Sequence, residues 1–338
     1  MRIVSGFLPI ALMASLLAAP APLAANDDDG PAVYLMLAES APMSFDEAVQ
    51  RLHGALDALG WTTLEPLECG VNAEKCAFRS QVVTAYHEDY VDRVMPAGSH
   101  AAFAVPVRFG VFEDEMGVHV AATNPQNLNR TIVDEATSPD EWAWATEMIR
   151  AVGQQAFPVA SVDTQFGQNR RDARIGKTMG VMAGGAFVDQ LEVIATLSAD
   201  EITPTQTADL LLSSMEMVDG DWEWGIRPVY VFDLPEYGVS VLGVSGGPME
   251  VKAFDIVGSG GNDARDDLAC PGVDHAPAFP IELVIAQEGD VVEVMLVDEM
   301  YRMKMFFEDA GKWAFMKNMG MPGSIEDEIK DKVRAIVN

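Results

Sequence analysis

The chain has 338 residues, and its 52 Asp+Glu against 22 Lys+Arg give a formal net charge of −30. With 49% hydrophobic residues, it can bury enough surface to offset its ordering entropy, which excludes a disordered acidic tail. So few cations exclude nucleic acid as a partner and disfavour an anionic membrane surface, and the length suggests two domains.

In chain order, Arg2 precedes an apolar run from Phe7 to Ala19, followed by the small-residue and proline exit Ala18 to Ala25. This is the pattern of a secretory signal peptide over residues 1–25 with cleavage after Ala25, and the apolar run is too short for a membrane span. The expected address is periplasmic or secreted. In such an oxidising compartment the nearby pair Cys69 and Cys76 is expected to form a disulfide, leaving Cys270 over.

Two stretches share one order of elements. In the first lobe, residues 26–160, a strand-like run from Ala32 to Leu37 precedes the capping box Ser44-Phe45-Asp46-Glu47, and a helical repeat runs to Gly60. In the second, residues 183–338, Leu191 to Leu197 precedes Thr203-Pro204-Thr205-Gln206, a second helix start. Later, Val105 to Glu113 and Val118 to Ala121 alternate around a polar turn. Phe279 to Gln287 and Val292 to Met295 do the same, with Pro106 aligned on Pro280 at a constant offset. Each pair predicts an antiparallel hairpin with one buried face. That phase turns His119 outward. Amphipathic helices are predicted from about 139 to 156 and from 324 to 337, and residues 161–182, rich in Gln, Asn, Arg and Gly, are expected to link the copies. The reading is a tandem duplication.

These features resemble the family called domain of unknown function 302. In copy one the matching residues are Ser44 to Gly60, His100-Ala101, Pro106, Glu113, Gly117 and Asn124-Pro125; in copy two they are His275-Ala276-Pro277 and Phe279-Pro280 with the strands that follow. Copy two departs at Gln287 and at Asp298-Glu299. The resemblance implies an α+β fold of two tandem two-layer sandwiches, each an antiparallel sheet with helices on one face, and transfers no catalytic residue.

Candidate chemistry is sparse. Gly243-Val244-Ser245-Gly246-Gly247 fits the G-x-S-x-G of a hydrolase elbow, with Ser245 as nucleophile and His275 as base, but Pro248 to Phe254 reads as a strand, which makes the glycines a hairpin turn. His100, Glu113 and His275 form a candidate polar site, since such pairs can do acid–base work. Met300, Met303 and Met305, with Met316, Met319 and Met321, spell M-x-x-M-x-M twice. Thioethers suit Cu(I) or Ag(I), and methionine also fills cores. The reading favoured is an exported, non-catalytic protein without a cofactor that binds a small molecule or protein in the groove between copies. A Cu(I)-binding protein and a serine hydrolase are the alternatives.

Overall fold

The computed structural model describes residues 30–176, 184–260, 270 and 272–337. The signal-peptide reading therefore lies outside the described residues.

The apolar run after Gly30 becomes β1 (Ala32–Ala41), and Ser44 caps α1 (Phe45–Ala58) by accepting a hydrogen bond from the Glu47 amide at 3.3 Å. Short strands β2 (Thr62–Thr63) and β3 (Leu67–Glu68) lead to β4 (Ser80–Tyr86), then α2 (Glu88–Val94) and a 3-10 segment, Ser99–Ala104. The hairpin β5 (Val107–Asp114) and β6 (Gly117–Thr123) follows, with α3 (Pro125–Ile132), α4 (Ala143–Ala156) and β7 (Ser161–Asn169). These strands make one sheet in the order β2-β4-β5-β6-β1-β7, with β3 also pairing with β4. Part of the expected linker, residues 161–169, is thus an edge strand of the first sheet, because its backbone pairs antiparallel with β1. Residues 177–182 lie outside the described residues.

The second lobe begins with β8 (Leu191–Ser198) and α5 (Pro204–Ser214), the latter opened by a complete capping box of Thr203 and Gln206. Then come β9 (Arg227–Leu234), a 3-10 turn at Pro235–Tyr237, β10 (Val239–Ser245), α6 (Gly247–Gly260) and a 3-10 segment at Val273–Ala278. The hairpin β11 (Ile281–Glu288) and β12 (Val291–Val297) precedes α7 (Glu299–Phe307), α8 (Lys312–Lys317) and α9 (Met321–Val337). The second sheet runs β8-β12-β11-β10-β9. Both lobes are α+β, with antiparallel sheets and packed helices.

The two sheets share a four-strand core, β4-β5-β6-β1 in one and β10-β11-β12-β8 in the other. The hairpin boundaries 107, 114, 117 and 123 recur at 281, 288, 291 and 297, a constant step of 174, which is also the separation of Arg108 and Glu282. Register is kept too: Phe109 faces Ala122 in one hairpin, and Leu283 faces Leu296 in the other. The 3-10 segments obey the same step, from Ser99–Ala104 to Val273–Ala278.

The lobes pack reciprocally. The first lobe's 3-10 segment lies on β10 and β11, and the second lobe's lies on β4, β5 and β6. Ala101, Ala102, Ala276 and Ala278 are fully buried there, small residues that let backbone approach sheet. The hairpin strands are consequently buried on both faces rather than one, since the opposite lobe covers the face that a lone sandwich would leave to water. His119 is buried as well, against residues of its own lobe. It stacks on Phe112 and bonds Asp114 at 2.9 Å, so the outward, solvated placement is corrected.

Candidate functional site

The junction between lobes holds the described residues of greatest chemical interest. Arg108 on β5 and Glu282 on β11 form an ion pair with both side chains at most 5% exposed. Arg302 of α7 donates to the Pro280 carbonyl at 3.0 Å, and the guanidinium groups of Arg108 and Arg302 lie 4.8 and 5.0 Å from the ring of Phe306. Tyr34 of β1 donates to the Phe306 carbonyl at 3.0 Å. Nearby Glu299 is fully buried with Oε1 unpartnered; burial pushes its carboxyl up to about 8 despite the opposing pull of Arg302.

His275 sits in an aromatic box of Tyr34, Phe166 and Phe307. Its Nδ1 meets Asp274 at 2.9 Å and its Nε2 meets Asp309 at 3.0 Å. Burial pulls the imidazole down, but the two carboxylates outweigh it and raise the group to about 9. His275 is therefore a charged, doubly bonded brace at neutral pH. His100 contacts the Val133 carbonyl at 3.4 Å, and Glu113 accepts from the Arg79 amide at 3.2 Å. The three candidate polar residues thus have separate partners. Sequence reasoning missed Arg108, Glu282, Asp309 and Tyr34, although the constant offset already set Arg108 against Glu282.

The expected Cys69–Cys76 bridge is not formed. Cys76 pairs with Cys270, Cα to Cα 5.1 Å, and Cys69 is a buried free thiol. Proximity in sequence does not set Cβ direction. Cys69 is fixed beside β4 through its amide bond to the Ser80 carbonyl, whereas Cys76 ends a turn on Asn72 that faces the second lobe.

Ser245 also departs from expectation. The helix α6, not a strand, follows it, because Pro248 falls in the first helical turn and Glu250 in the next positions. The strand–turn–helix frame of an elbow is present, and the hairpin-turn reading is corrected. The hydroxyl, however, is fully buried and donates to Glu250 Oε1 at 2.5 Å, while the other Glu250 oxygen accepts from the Gly70 amide. No hydrogen bond joins Ser245 to His275 among the described residues. Of the six clustered methionines, Met303, Met305 and Met321 are buried in the apolar core and Met319 is exposed. They spread over α7, α8, α9 and the turn before α9. Core packing accounts for the buried three.

Two cavities open where the lobes meet. The first, about 220 Å³, is walled by Val71 and the Cys76–Cys270 bridge on one side and Val251 and Phe254 on the other. At its rim Asp255 of α6 accepts from Asn72 at 3.3 Å and pairs with Lys75 at 3.4 Å. The second, about 330 Å³, lies between Tyr86, Glu88 and Asp92 of the first lobe and Asp233, Glu236 and Tyr237 of the second. There Asp92 of α2 accepts from the Tyr237 hydroxyl at 3.1 Å. The two are built alike: the loop before one lobe's β4 or β10 meets the helix after the other lobe's β10 or β4.

Residues 37–156 match the family model described as Domain of unknown function DUF302. That match covers most of the first lobe, as the resemblance implied. A crystal structure of an uncharacterized conserved DUF302 protein from Bacillus stearothermophilus is similar at 12% identity, covering 36% of this chain and 95% of that one, with a TM-score of 0.30. No curated protein matches the chain. Among the described residues no helix is long and apolar enough to cross a membrane.

Proposed function

We propose that the chain is an exported, non-catalytic binding protein in which a duplicated DUF302-like lobe encloses ligand clefts where its two copies meet. One observation carries this reading: both junction cavities have the same construction, loop against helix, with the lobes exchanging roles. A folded ancestor pairing with its own copy would produce two such clefts, and duplication frees each to diverge. The disulfide suits an oxidising compartment outside the cytoplasm.

The cleft beside the disulfide is mainly apolar with a few polar groups at its rim, the usual make-up of a small-molecule site. Its ligand is a small, largely apolar molecule. Fluorescence titration of the full chain with N-phenyl-1-naphthylamine, a neutral apolar probe, tests this. Saturable binding that is lost in Val251→Trp, with the fold intact by circular dichroism, is the expected result. No saturable binding to the wild type overturns the reading.

The second cleft supports a different ligand. Four carboxylates and two tyrosine rings line it, with no Lys or Arg among the described residues of its wall, which favours a small organic cation.

A further inference from the structure

Only one of the two like-built junctions carries a covalent bond across it, the Cys76–Cys270 bridge, whose partners stand 194 positions apart. Both cysteines are also part of the cavity wall, at 7% and 5% exposure, so the bridge borders the cleft. The segment bearing Cys76 has a fixed end. The Gly70 amide donates to buried Glu250, and Gly70 passes so close to Gly247 that an added Cβ would lie 2.7 Å from its carbonyl oxygen. Beyond Gly70, the polar ties from residues 71–76 to the second lobe are, among the described residues, the contacts of Asn72 and Lys75 with Asp255, at 3.3 and 3.4 Å. Lys75 is 67% exposed in that pair, which makes it a weak restraint. The segment's other end is fixed in the first lobe, where Arg79 exchanges hydrogen bonds with Glu113 at 3.2 and 3.1 Å, so without the disulfide residues 71–76 are a loop held at Gly70 and Arg79 and only weakly tied to the second lobe between them.

We propose that the Cys76–Cys270 disulfide is a redox latch on the apolar cleft: closed, it fixes residues 71–76 as a wall, and reduced, it lets that wall loosen as a loop between Gly70 and Arg79. For its effect on ligand this rests on the cleft reading above; the movement itself does not. The reductant is a dithiol. One of its thiolates attacks a sulfur of the bridge, the protein S–S bond breaks, and a mixed disulfide forms. The second thiol of the reductant then displaces the remaining protein thiolate and leaves as a cyclic disulfide. Two electrons and two protons pass to the protein, giving the Cys76 and Cys270 thiols. Cys69 stays out of the exchange, because burial and the neighbouring Glu250 carboxylate push its thiol well up and keep it protonated.

The test reduces the native full chain with dithiothreitol, counts free thiols by alkylation and mass, and follows amide hydrogen exchange and probe binding in parallel. Two new thiols, exchange at residues 71–76 at least tenfold faster, unchanged exchange in β5 and β6, and at least tenfold weaker N-phenyl-1-naphthylamine binding are expected. The Cys76→Ser/Cys270→Ser double variant should match the reduced protein. A bridge that resists reduction in the folded chain, exchange at 71–76 that does not change, or acceleration spread over both sheets overturns the latch. Equal probe affinity in the two redox states overturns the latch and leaves the cleft reading standing. Faster exchange at 71–76 in a protein that never takes the probe removes the cleft reading and leaves the latch.

Discussion

His275 shows how a buried residue can be identified in a sequence while its work is not. Its folded value of about 9 lies above the 6.5 of a free imidazole, so the charged form is favoured by folding. The stabilisation is therefore complete below pH 6.5 and is lost as pH rises through about 9. His275→Gln keeps a hydrogen-bond donor but not the charge. The variant should be less stable than wild type by roughly 2–3 kcal/mol at pH 6, the gap closing towards pH 10. Urea unfolding across that range checks it, and a gap independent of pH would contradict the charged brace. Asp274 is the chain neighbour and was visible as such; Asp309 comes from a 3-10 turn 34 positions away, which no local pattern reveals. Ser245 failed in the opposite direction. The Val251 and Phe254 side chains suggested a strand, yet Pro248 just inside the start was a legible sign of the helix that formed.

At the scale of elements, the caps and hairpins were legible because they depend on neighbours in sequence: Ser44 and Thr203 open helices where expected, and both hairpins turn where the polar breaks fall. What alternation could not show was the second buried face of each sheet, since its cover comes from the opposite lobe. Gly110 marks that contact. On β5 beneath the second lobe's 3-10 segment, an added Cβ would lie 2.8 Å from Pro277 Cδ and 2.9 Å from its Cγ. A proline ring held in a packed segment has little freedom to yield, so Gly110→Ala should cost about 1–3 kcal/mol. Gly54, inside α1, has open space around its missing Cβ, and Gly54→Ala should instead gain about 0.5–1 kcal/mol. Paired thermal unfolding curves give the two signs, and a neutral Gly110→Ala would mean the lobes are less tightly joined than the reciprocal packing requires. The disulfide belongs to this scale as well: seven positions of spacing pointed to Cys69, but the turn on Asn72 aims Cys76 at the other lobe.

For the whole molecule, the decisive contact is Arg108 with Glu282, residues at corresponding places in the two hairpins that meet each other. On the axis of a true two-fold dimer a residue faces its own copy, and a buried arginine there would face an arginine. Two like-built lobes in one chain escape that constraint and can place opposite charges at corresponding positions, an arrangement that a duplication permits. Arg108→Ala leaves the Glu282 carboxylate buried without its partner and should destabilise by about 3–5 kcal/mol. Replacing both with Met removes two desolvated charges together and should cost far less than the two single changes added, because the attraction of a buried pair is largely spent on stripping it of water. A double-mutant cycle by urea unfolding measures this directly. Strong coupling, with the double variant near wild type, fits a charge pair that holds the register of one lobe on the other; additive losses would mean that Arg108 and Glu282 do not depend on each other, Arg108 being held instead by contacts such as the Pro280 carbonyl, and that the register is set by the other contacts of the junction.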